Sequence, residues 1–498
     1  MKQPDLDMVI VGAGLSGIGA AHHLQEQLPD MRFAILEASE GIGGTWRIHT
    51  YPGIRSDSDL YTFGFRFKPW TDKPIAEAHL ILEYLNEVVD EDGLRSKIRF
   101  HHRLVNASWS NELQVWRLLV QTDAGREPKT ITTRFLWNCP GYYKQDKGYT
   151  PTFKGLEAFR GRIVHPQNWP NDLDVADKRV LVIGSGATAA TLIPKLAETA
   201  AHVTMLQRSP TYFWSAPNRN LFADILRGLK LPDMWVHQLV RKFNLTIARM
   251  IQDKSRHTPE KVRKRILDEA RARLPEGFDV ETHFGPSYRP WQQRLAFLPE
   301  GDLFASIRGG NVSIVTDCTD RFVESGVVTG QGDVLEADII VTATGFDLSV
   351  MGGIHFDIDG APVDFSKATV HRGVMLSGVP NFFYVFGYLR TSWTMRVDLV
   401  SDYVIRILRH VRSHSSIQVT PTFRTTDDDM PGLPLFSEDE FNPGYIKRSA
   451  HLLPKQGDRA PWTFEVDYYK ERKILPSATL DDGTLVLSPA PETQRAAE

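Results

Sequence analysis

Cysteine is almost missing from this sequence, and the shortage excludes two kinds of protein. Only Cys139 and Cys318 occur. Two cysteines are too few for a disulfide framework, and they form no close pair of the kind that a thiol–disulfide reductase needs. We therefore expect a protein of a reducing compartment, with the cytoplasm as the simplest choice.

Long apolar runs and an excess of one charge are missing as well. No stretch approaches the roughly 18–20 apolar residues of a membrane-spanning helix, and no cleavable apolar segment follows the N-terminus. The 58 lysines and arginines nearly balance 61 aspartates and glutamates, which leaves a net charge of −3. This balance argues against a nucleic-acid partner. With 498 residues, the chain is long enough for two or three domains.

What the sequence does contain is one pattern that occurs twice. LDMVIVGAGLSGIGAAHHL changes from an apolar run to helical spacing at its glycines, which predicts a strand over 6–11, a tight loop and a helix. FAILEA, residues 33–38, predicts the next strand. KRVLVIGSGATAATLIPKLAE and HVTMLQRS repeat this order later. We therefore predict an α/β fold with two Rossmann-like dinucleotide-binding domains.

The first glycine loop has the spacing of a dinucleotide site. Gly12, Gly14 and Gly17 form GxGxxG, which allows a tight turn, a close approach to a pyrophosphate and close packing of helix on strand. Glu37 ends the next strand, where a carboxylate can accept hydrogen bonds from a ribose diol. The strand, helix and acid together make a dinucleotide site the favoured interpretation over a bare glycine-rich turn.

The second loop, Gly184, Gly186 and Ala189, is the GxGxxA variant. Arg208 stands where the first unit has Glu37. An arginine there can bind a 2′-phosphate, which favours NADP over NAD, although a simple surface arginine is the alternative. Ser209, the next residue, is included among the expected cofactor contacts.

Two unlike dinucleotide sites imply hydride transfer between a nicotinamide and a flavin. GIGGTW, residues 41–46, and YPGIRSDSD, residues 51–59, are loops that can run against the first cofactor. Gly44, Thr45 and Trp46 are the contacts expected from the first of these loops. We therefore predict FAD at the first site and NADPH at the second.

The change of composition along the chain predicts the domain division. The FAD-binding domain is expected at 1–145 and 341–487, the linker and NADP-binding domain at 146–215 and 291–340, a helical insertion at 216–290, and a disordered tail at 488–498. In the insertion, Thr258 and Pro259 predict a helix start with the hydroxyl as its cap. The basic, amphipathic segment 221–243 can pack against the NADP domain, which is favoured, or attach weakly to a membrane surface.

FRGRIVHPQNWP, between the two glycine loops, resembles the FxGxxxHxxxWP fingerprint of type I Baeyer–Villiger monooxygenases. The matching residues are Phe159, Gly161, His165, Trp169 and Pro170. The similarity runs from about residue 6 to residue 470, and shorter segments such as GSGATA, MLQRSPTY, PWQQRL and LPKQG look most like the ethionamide-activating group.

The resemblance implies that NADPH reduces FAD, that O2 then forms a C4a-peroxyflavin, and that this inserts one oxygen beside a ketone carbonyl. Thioethers can be oxygenated as well. It implies Arg294 as the active-site cation and Asp57 as the carboxylate that holds it, with a structural salt bridge as the alternative. A ketone or thioether and O2 are the expected partners, and no oligomeric state is predicted.

Three positions qualify the resemblance. Gln293 stands where many family members have lysine beside the arginine, so recognition of NADP is expected to depend on Arg208. Trp393 can line the pocket near the nicotinamide or pack in the core. His165 is expected in a linker between the domains, where it transmits cofactor-driven movement or is simply satisfied by backbone hydrogen bonds.

Other functions remain open from the residues alone. A flavin monooxygenase limited to nitrogen or sulfur oxygenation would share every motif. A reductase that passes electrons to another acceptor is disfavoured, because this sequence has no close pair of cysteines. A flavin-binding sensor would have no use for Arg294 and Asp57.

Overall fold

The computed structural model describes residues 3–122, 127–293, 295–437 and 443–490. Strands in chain order are β1 (Leu6–Val11), β2 (Phe33–Leu36), β3 (Ile98–Arg99), β4 (Arg103–Ser110), β5 (Val115–Gln121), β6 (Lys129–Asn138), β7 (Arg162–Val164), β8 (Arg179–Ile183), β9 (His202–Gln207), β10 (Phe213–Ala216), β11 (Ala296–Pro299), β12 (Val312–Thr316), β13 (Thr319–Val323), β14 (Gly326–Thr329), β15 (Val334–Glu336), β16 (Ile339–Thr342), β17 (His355–Ile358), β18 (Ala361–Pro362), β19 (Val370–His371), β20 (Met375–Leu376), β21 (Phe382–Tyr384), β22 (Ser416–Pro421), β23 (Leu433–Pro434), β24 (Lys455–Gln456) and β25 (Leu485–Pro489).

The α-helices alternate with these strands along much of the chain. They are α1 (Leu15–Gln27), α2 (Thr45–Ile48), α3 (Leu60–Phe63), α4 (Ala78–Glu91), α5 (Ala187–Leu196), α6 (Leu221–Gly228), α7 (Asp233–His257), α8 (Pro259–Arg271), α9 (Val280–Phe284), α10 (Asp302–Arg308), α11 (Trp393–Ser413), α12 (Gly444–Ser449) and α13 (Tyr468–Ser477). Within the described ranges, no helix is both long and apolar enough to cross a bilayer.

The larger sheet carries the first glycine loop. Its strand order is β18-β17-β4-β5-β6-β1-β2-β3, with β21 beside β6. β1 pairs in parallel with both β2 and β6, and Met8, Val9 and Ile10 within it are fully buried. Burial on both faces of a central parallel strand explains its unbroken apolar run. The strand predicted over 6–11 is confirmed as β1, and the strand predicted over 33–38 is the shorter β2.

The second sheet carries the other glycine loop and is entirely parallel, in the order β12-β9-β8-β16-β7. The predicted α/β fold with two Rossmann-like units is confirmed. β16 spans 339–342, and all four of its residues are buried in this sheet. The domain boundary expected between 340 and 341 therefore falls inside a strand. The fingerprint segment is not only a linker, since β7 within it forms the edge strand of the sheet.

The inserted helices pack differently from the prediction. Leu226 of α6 and Val240 of α7 join the core of the first domain, and the buried Arg241 donates hydrogen bonds to backbone carbonyls around α3. Residues of α8 and α9, such as Phe284, pack in the core of the second domain instead. The expectation that 221–243 packs against the NADP domain is therefore wrong. The insertion bridges both domains, because α6 and α7 pack in the first core and α8 and α9 pack in the second.

The predicted helix start at Thr258 and the predicted C-terminal tail also differ from expectation. Pro259 does begin α8, but the hydroxyl of Thr258 donates to the carbonyl of Lys254 at 3.1 Å instead of capping the new helix. The two helices abut there, so the hydroxyl closes α7. Ser488 and Pro489, predicted to open a disordered tail, instead belong to β25, which pairs with β22. Residues 491–498 lie outside the described residues.

A buried histidine at this packed interface makes a prediction about pH. Burial, and then the charge of Arg241, lower the pKa of His237 from 6.5 to about 4. The neutral ring accepts a hydrogen bond from the backbone N–H of Trp70 at 3.1 Å. Because the folded pKa lies below the unfolded one, the stabilisation is complete above pH 6.5 and lost as pH falls towards 4.

We expect the free energy of unfolding to decrease by up to about 3 kcal/mol over that interval, from this group alone. His237→Asn keeps an acceptor for Trp70 and removes the titration, so the acid-side loss should become smaller. Urea unfolding of the holoenzyme at several pH values measures it, with the exposed His79→Asn as control. An unchanged pH profile in His237→Asn would contradict the assignment.

Candidate active site

One large cavity of about 1130 Å³ lies where the carboxyl ends of β1 and β2 meet the second sheet. Residues of the first glycine loop line it together with Ala187 and Thr188, which open the helix after the second loop. Ligands of open α/β sheets bind outside the carboxyl ends of the strands. The cavity is therefore placed to receive ligands from both glycine-loop units.

The first glycine loop is shaped by close backbone contacts. A Cβ on Gly17 would lie 1.8 Å from the carbonyl oxygen of Gly12, and a Cβ on Gly12 would lie 2.7 Å from that of Cys139. Gly14 faces the cavity, and a Cβ on it would meet only Gly44, whose Cα would lie 3.6 Å away. α1 begins directly after Gly14 without a side-chain cap, which leaves its N–H groups for an anion. The backbone contacts of Gly12 and Gly17 therefore exclude a side chain, and Gly14 leaves its part of the loop open to the cavity.

Glu37 lies at the end of β2, lines the cavity and is buried. Its Oε2 accepts a hydrogen bond from the backbone N–H of Ala13 at 2.7 Å. Its Oε1 accepts from the backbone N–H of Ser39 at 2.8 Å and from the Ser39 hydroxyl at 2.7 Å. These donors fix the carboxylate beside the glycine loop and leave lone pairs for a diol.

The GIGGTW loop folds back onto the first glycine loop. The backbone N–H of Gly43 donates to the carbonyl of Ala13 at 2.9 Å. Gly44 precedes the short helix α2, which starts at Thr45, and the Trp46 ring meets Phe63 edge to face at 5.7 Å. Gly44, Thr45 and Trp46 all line the cavity, as a second wall for the first ligand requires.

The second glycine loop leaves more open space than the first. Gly184 has a φ of +134°, and a Cβ there would lie 2.2 Å from the carbonyl oxygen of Ala343. A Cβ on Gly186 would meet nothing within 4 Å, so a ligand can approach this part of the backbone. Ala189 is fully buried where α5 packs on its sheet. A small residue is required at that position, and alanine fills it.

Arg208 follows β9 directly and is exposed beside this loop. Among the described residues it has no hydrogen bond or ion pair. The hydroxyl of Ser185 donates to the carbonyl of Ser209 at 3.0 Å, which ties the loop to the end of β9. The guanidinium is therefore available to a phosphate as far as the described residues are concerned.

The residues expected around the reaction centre are Asp57, Gln293 and Arg294. Asp57 and Gln293 both line the cavity. Arg294 lies outside the described residues. The same YPGIRSDSD motif supplies two further cavity residues that the sequence did not single out, Arg55 and Asp59.

Arg55 crosses between the two domains. Its Nη1 donates to Asp302 of α10 at 2.6 Å, and its side chain is largely buried. Its Nη2 is buried with no hydrogen-bond partner among the described residues. An arginine with a free donor on a cavity wall can bind an anionic or carbonyl group of a ligand.

Asp59 is the other missed residue of the motif. Its Oδ2 accepts hydrogen bonds from the backbone N–H of Thr62 at 3.1 Å and from the Asn244 amide at 2.9 Å. Burial raises the pKa of this carboxyl, which lessens the negative charge that it brings to the cavity. The contact also joins α7 to the first domain.

Trp393 packs against the core of the first domain and also reaches the cavity. Its indole N–H donates to the hydroxyl of Ser16 at 2.7 Å, and its ring stacks on Tyr142 with centroids 5.0 Å apart. It also lines the cavity, and Tyr142, Tyr143 and Phe346 join it there. These aromatic rings narrow the cavity and restrict water.

The fingerprint histidine is packed at the junction, while its neighbour faces the cavity. His165 Nδ1 accepts a hydrogen bond from the backbone N–H of Gln167 at 3.1 Å, and burial lowers the pKa of the ring. A Cβ on Gly148 would lie 1.9 Å from this ring. Gln167, which lines the cavity, donates to the carbonyl of Lys144 at 2.7 Å. The segment thus reaches the cavity through an amide that the sequence analysis did not name.

The sequence profile of the flavin-binding monooxygenase-like family matches residues 6–351. The chain belongs to the flavin-binding monooxygenase-like family. It is 44% identical over 490 residues to the FAD-containing monooxygenase EthA of Mycobacterium tuberculosis, covering 98% of each chain. It is 43% identical over 485 residues to the probable FAD-binding monooxygenase AlmA of Acinetobacter baylyi, covering 96% of this chain and 95% of that one.

Solved structures of lower identity share the fold. Oxidized steroid monooxygenase bound to NADP has a TM-score of 0.75 at 22% identity, covering 97% of this chain and 99% of that chain. Cyclohexanone monooxygenase bound to epsilon-caprolactone has a TM-score of 0.73 at 21% identity, with the same coverage. The predicted fold is therefore confirmed, and the predicted enzyme class is confirmed as far as a flavin-dependent monooxygenase.

Proposed function

We propose that this monooxygenase uses FAD, NADPH and O2 to convert a ketone into an ester or lactone. The observation that carries the proposal is the single cavity on which both glycine-loop units open, so that a flavin and a nicotinamide can meet. The relatives named FAD-containing and FAD-binding monooxygenases support the flavin, and the structures bound to NADP and to a lactone support the nicotinamide and the product class.

The first site fits FAD. Its pyrophosphate would lie on the N-terminus of α1, against Gly12, Gly14 and Gly17, with Glu37 accepting hydrogen bonds from the ribose. Gly44, Thr45 and Trp46 would hold a further part of the molecule. When bound, the flavin supplies the two-electron chemistry through which O2 reacts with the substrate.

The second site fits NADPH. Gly184 and Gly186 would admit the pyrophosphate, Ala189 keeps α5 close to its sheet, and Arg208 with Ser209 would bind the 2′-phosphate. Gln293 and Trp393 line the shared part of the cavity. We assign both to the nicotinamide end of this ligand.

The chain's own contribution to the reaction is charge and exclusion of water. A developing alkoxide on the former carbonyl oxygen needs a fixed cation, and we assign that role to Arg294 with Asp57 as the carboxylate that orients it. The rings of Tyr142, Trp393 and Phe346 border the same space. By restricting water, these rings favour transfer of oxygen to the substrate over its release as hydrogen peroxide.

The balanced reaction consumes a ketone, O2, NADPH and a proton, and gives an ester, NADP⁺ and water. We would incubate the holoenzyme with NADPH and ¹⁸O2, and supply a cyclic ketone and an aryl methyl thioether separately. A lactone with one ¹⁸O atom supports the proposal. A sulfoxide without any lactone favours the monooxygenase limited to heteroatoms. NADPH oxidation that yields only hydrogen peroxide with both probes contradicts organic oxygenation.

Arg208 predicts the coenzyme preference. Arg208→Ala removes a charge-assisted contact to the 2′-phosphate, so the KM for NADPH should rise about tenfold or more. The KM for NADH should change little, because NADH has no 2′-phosphate. Steady-state kinetics with both coenzymes measures this, with the exposed Arg160→Ala as control. An equal change for NADPH and NADH would remove Arg208 from phosphate recognition.

A further inference from the structure

Helices α6 and α7 present a continuous row of large apolar side chains to solvent. We call this the apolar α6–α7 face. Its members are Leu221, Ile225, Leu229, Trp235, Leu239, Phe243, Ile247 and Met250. Leu229 is 69% exposed and Trp235 is 62% exposed. Contiguous exposed apolar surface of this kind is rare on proteins that stay free in water and marks an interaction site.

The face is not a sign of loosely placed helices. The opposite sides of α6 and α7 are buried through Ala223 and Val236 in the core of the first domain. The rings of Phe222 and Phe243 lie 5.1 Å apart, which joins the two helices laterally. The helices therefore have one apolar side for the core and a second apolar side whose members are 37% to 69% exposed.

The charge around the face identifies its partner. Leaving out the buried Arg241, the segment 219–256 has seven lysines and arginines, three aspartates and no glutamate, although the whole chain carries −3. Lys230, Lys242 and Lys254 are exposed on or beside the two helices. An apolar helix face bordered by lysines is the pattern of a helix that lies in an anionic lipid surface. A second copy of the chain would instead bring like charges together.

The face continues into the cavity already described. Phe243 and Ile247 belong to both, and Ile251 of the next turn also lines the cavity. A surface that covers the apolar α6–α7 face would thus lie at the cavity wall. This continuity is what a route for lipid-dissolved molecules requires.

We propose that the apolar α6–α7 face docks on an anionic lipid bilayer and brings this wall of the cavity to the acyl region. The docking stands on the face and its charges alone. Its consequence, that lipophilic substrates reach the cavity from the bilayer, rests on the proposed oxygenation. Such substrates would be long-chain or polycyclic ketones with low solubility in water.

Vesicle flotation of the holoenzyme tests the docking without turnover. We compare vesicles of phosphatidylcholine mixed with phosphatidylglycerol and vesicles of phosphatidylcholine alone. The wild type should float with the anionic vesicles, and raised salt should weaken the binding. The double variant Ile225→Gln, Leu229→Gln should bind the anionic vesicles at least about tenfold more weakly than the wild type. Neither residue lines the cavity, so its turnover of a water-soluble ketone should be unchanged.

The control is Leu452→Gln, Ile474→Gln, two apolar residues elsewhere on the chain that are 45% and 40% exposed. It should float like the wild type. Failure of the wild type to float, or equal flotation of the two double variants, overturns the proposal. Sedimentation equilibrium without lipid supplies the remaining outcome. A wild-type dimer that Ile225→Gln, Leu229→Gln converts to monomer would assign the face to a second copy and overturn lipid docking.

Discussion

Replacing Arg294 by alanine should lower ester formation about 10²-fold or more while NADPH still reduces the bound flavin. The expected loss arises because the guanidinium is assigned to the developing negative charge on the oxygen of the substrate carbonyl. A fixed cation in a water-restricted cavity stabilises such a charge far more than water-exposed groups do. Hydride transfer from NADPH develops no charge at that oxygen, so its rate should change much less.

Two readouts separate these steps. Anaerobic bleaching of the flavin by NADPH reports reduction, and lactone formation under O2 reports oxygenation. Arg294→Lys keeps the charge without the fork geometry and should recover part of the activity. The exposed Arg308→Ala on α10 controls for loss of an arginine in this half of the chain. Wild-type lactone formation in Arg294→Ala would exclude the assigned role, and equal loss of both steps would indicate a structural one.

Asp57→Asn gives the companion result on the same axis. Its side chain lines the cavity, and we assign it to the orientation of Arg294. A positioning residue of this kind should reduce oxygenation less than loss of the cation itself. Flavin reduction by NADPH should stay near that of the wild type while lactone formation falls, which a general structural defect would not produce.

The parts of the site that the sequence predicted depend on short-range spacing. Gly12, Gly14 and Gly17 lie within six residues of each other, and the backbone contacts that require glycine are made within the same turn or with the adjacent strand end. Glu37 follows because β2 is the next strand in the sheet. Local patterns fix such sites because the chain has little freedom between their members.

The parts that the sequence missed depend on distant pairings. Arg55 meets Asp302 across 247 positions, and Asp59 meets Asn244 across 185. No spacing rule indicates which charged residues meet over such separations. The signal that was available is the motif itself, since both residues lie in YPGIRSDSD beside the predicted Asp57.

Amphipathic spacing had a similar limit for the insertion. It indicated correctly that 221–243 has a side to bury, but it does not indicate which domain receives that side. Nor does it show whether a second apolar side remains outside. The abutting helices at Thr258 illustrate the same point, because the capping pattern was read as a start and the hydroxyl serves the preceding end.

The largest expected effect on stability concerns a buried ion pair behind the cavity. Arg396 of α11 and Glu471 of α13 are both essentially inaccessible to solvent. Nε and Nη2 of the arginine donate to the two carboxylate oxygens at 3.0 and 2.9 Å. Tyr388, a cavity residue, donates to the same carboxylate. The pair therefore joins two helices and the cavity wall.

Glu471→Gln should lower the free energy of unfolding by about 3–5 kcal/mol, because it leaves the Arg396 charge buried without its counter-charge. Urea unfolding of the holoenzyme measures this. Glu324→Gln, which removes one partner of the exposed pair with Arg160, should cause no measurable change, since exposed pairs contribute little. The double variant Arg396→Met, Glu471→Gln should lose less than the sum of the two single variants. The free-energy cost of an unpaired buried charge disappears only when both charges are removed. Additive losses would therefore mean that each side chain acts through packing and backbone contacts alone.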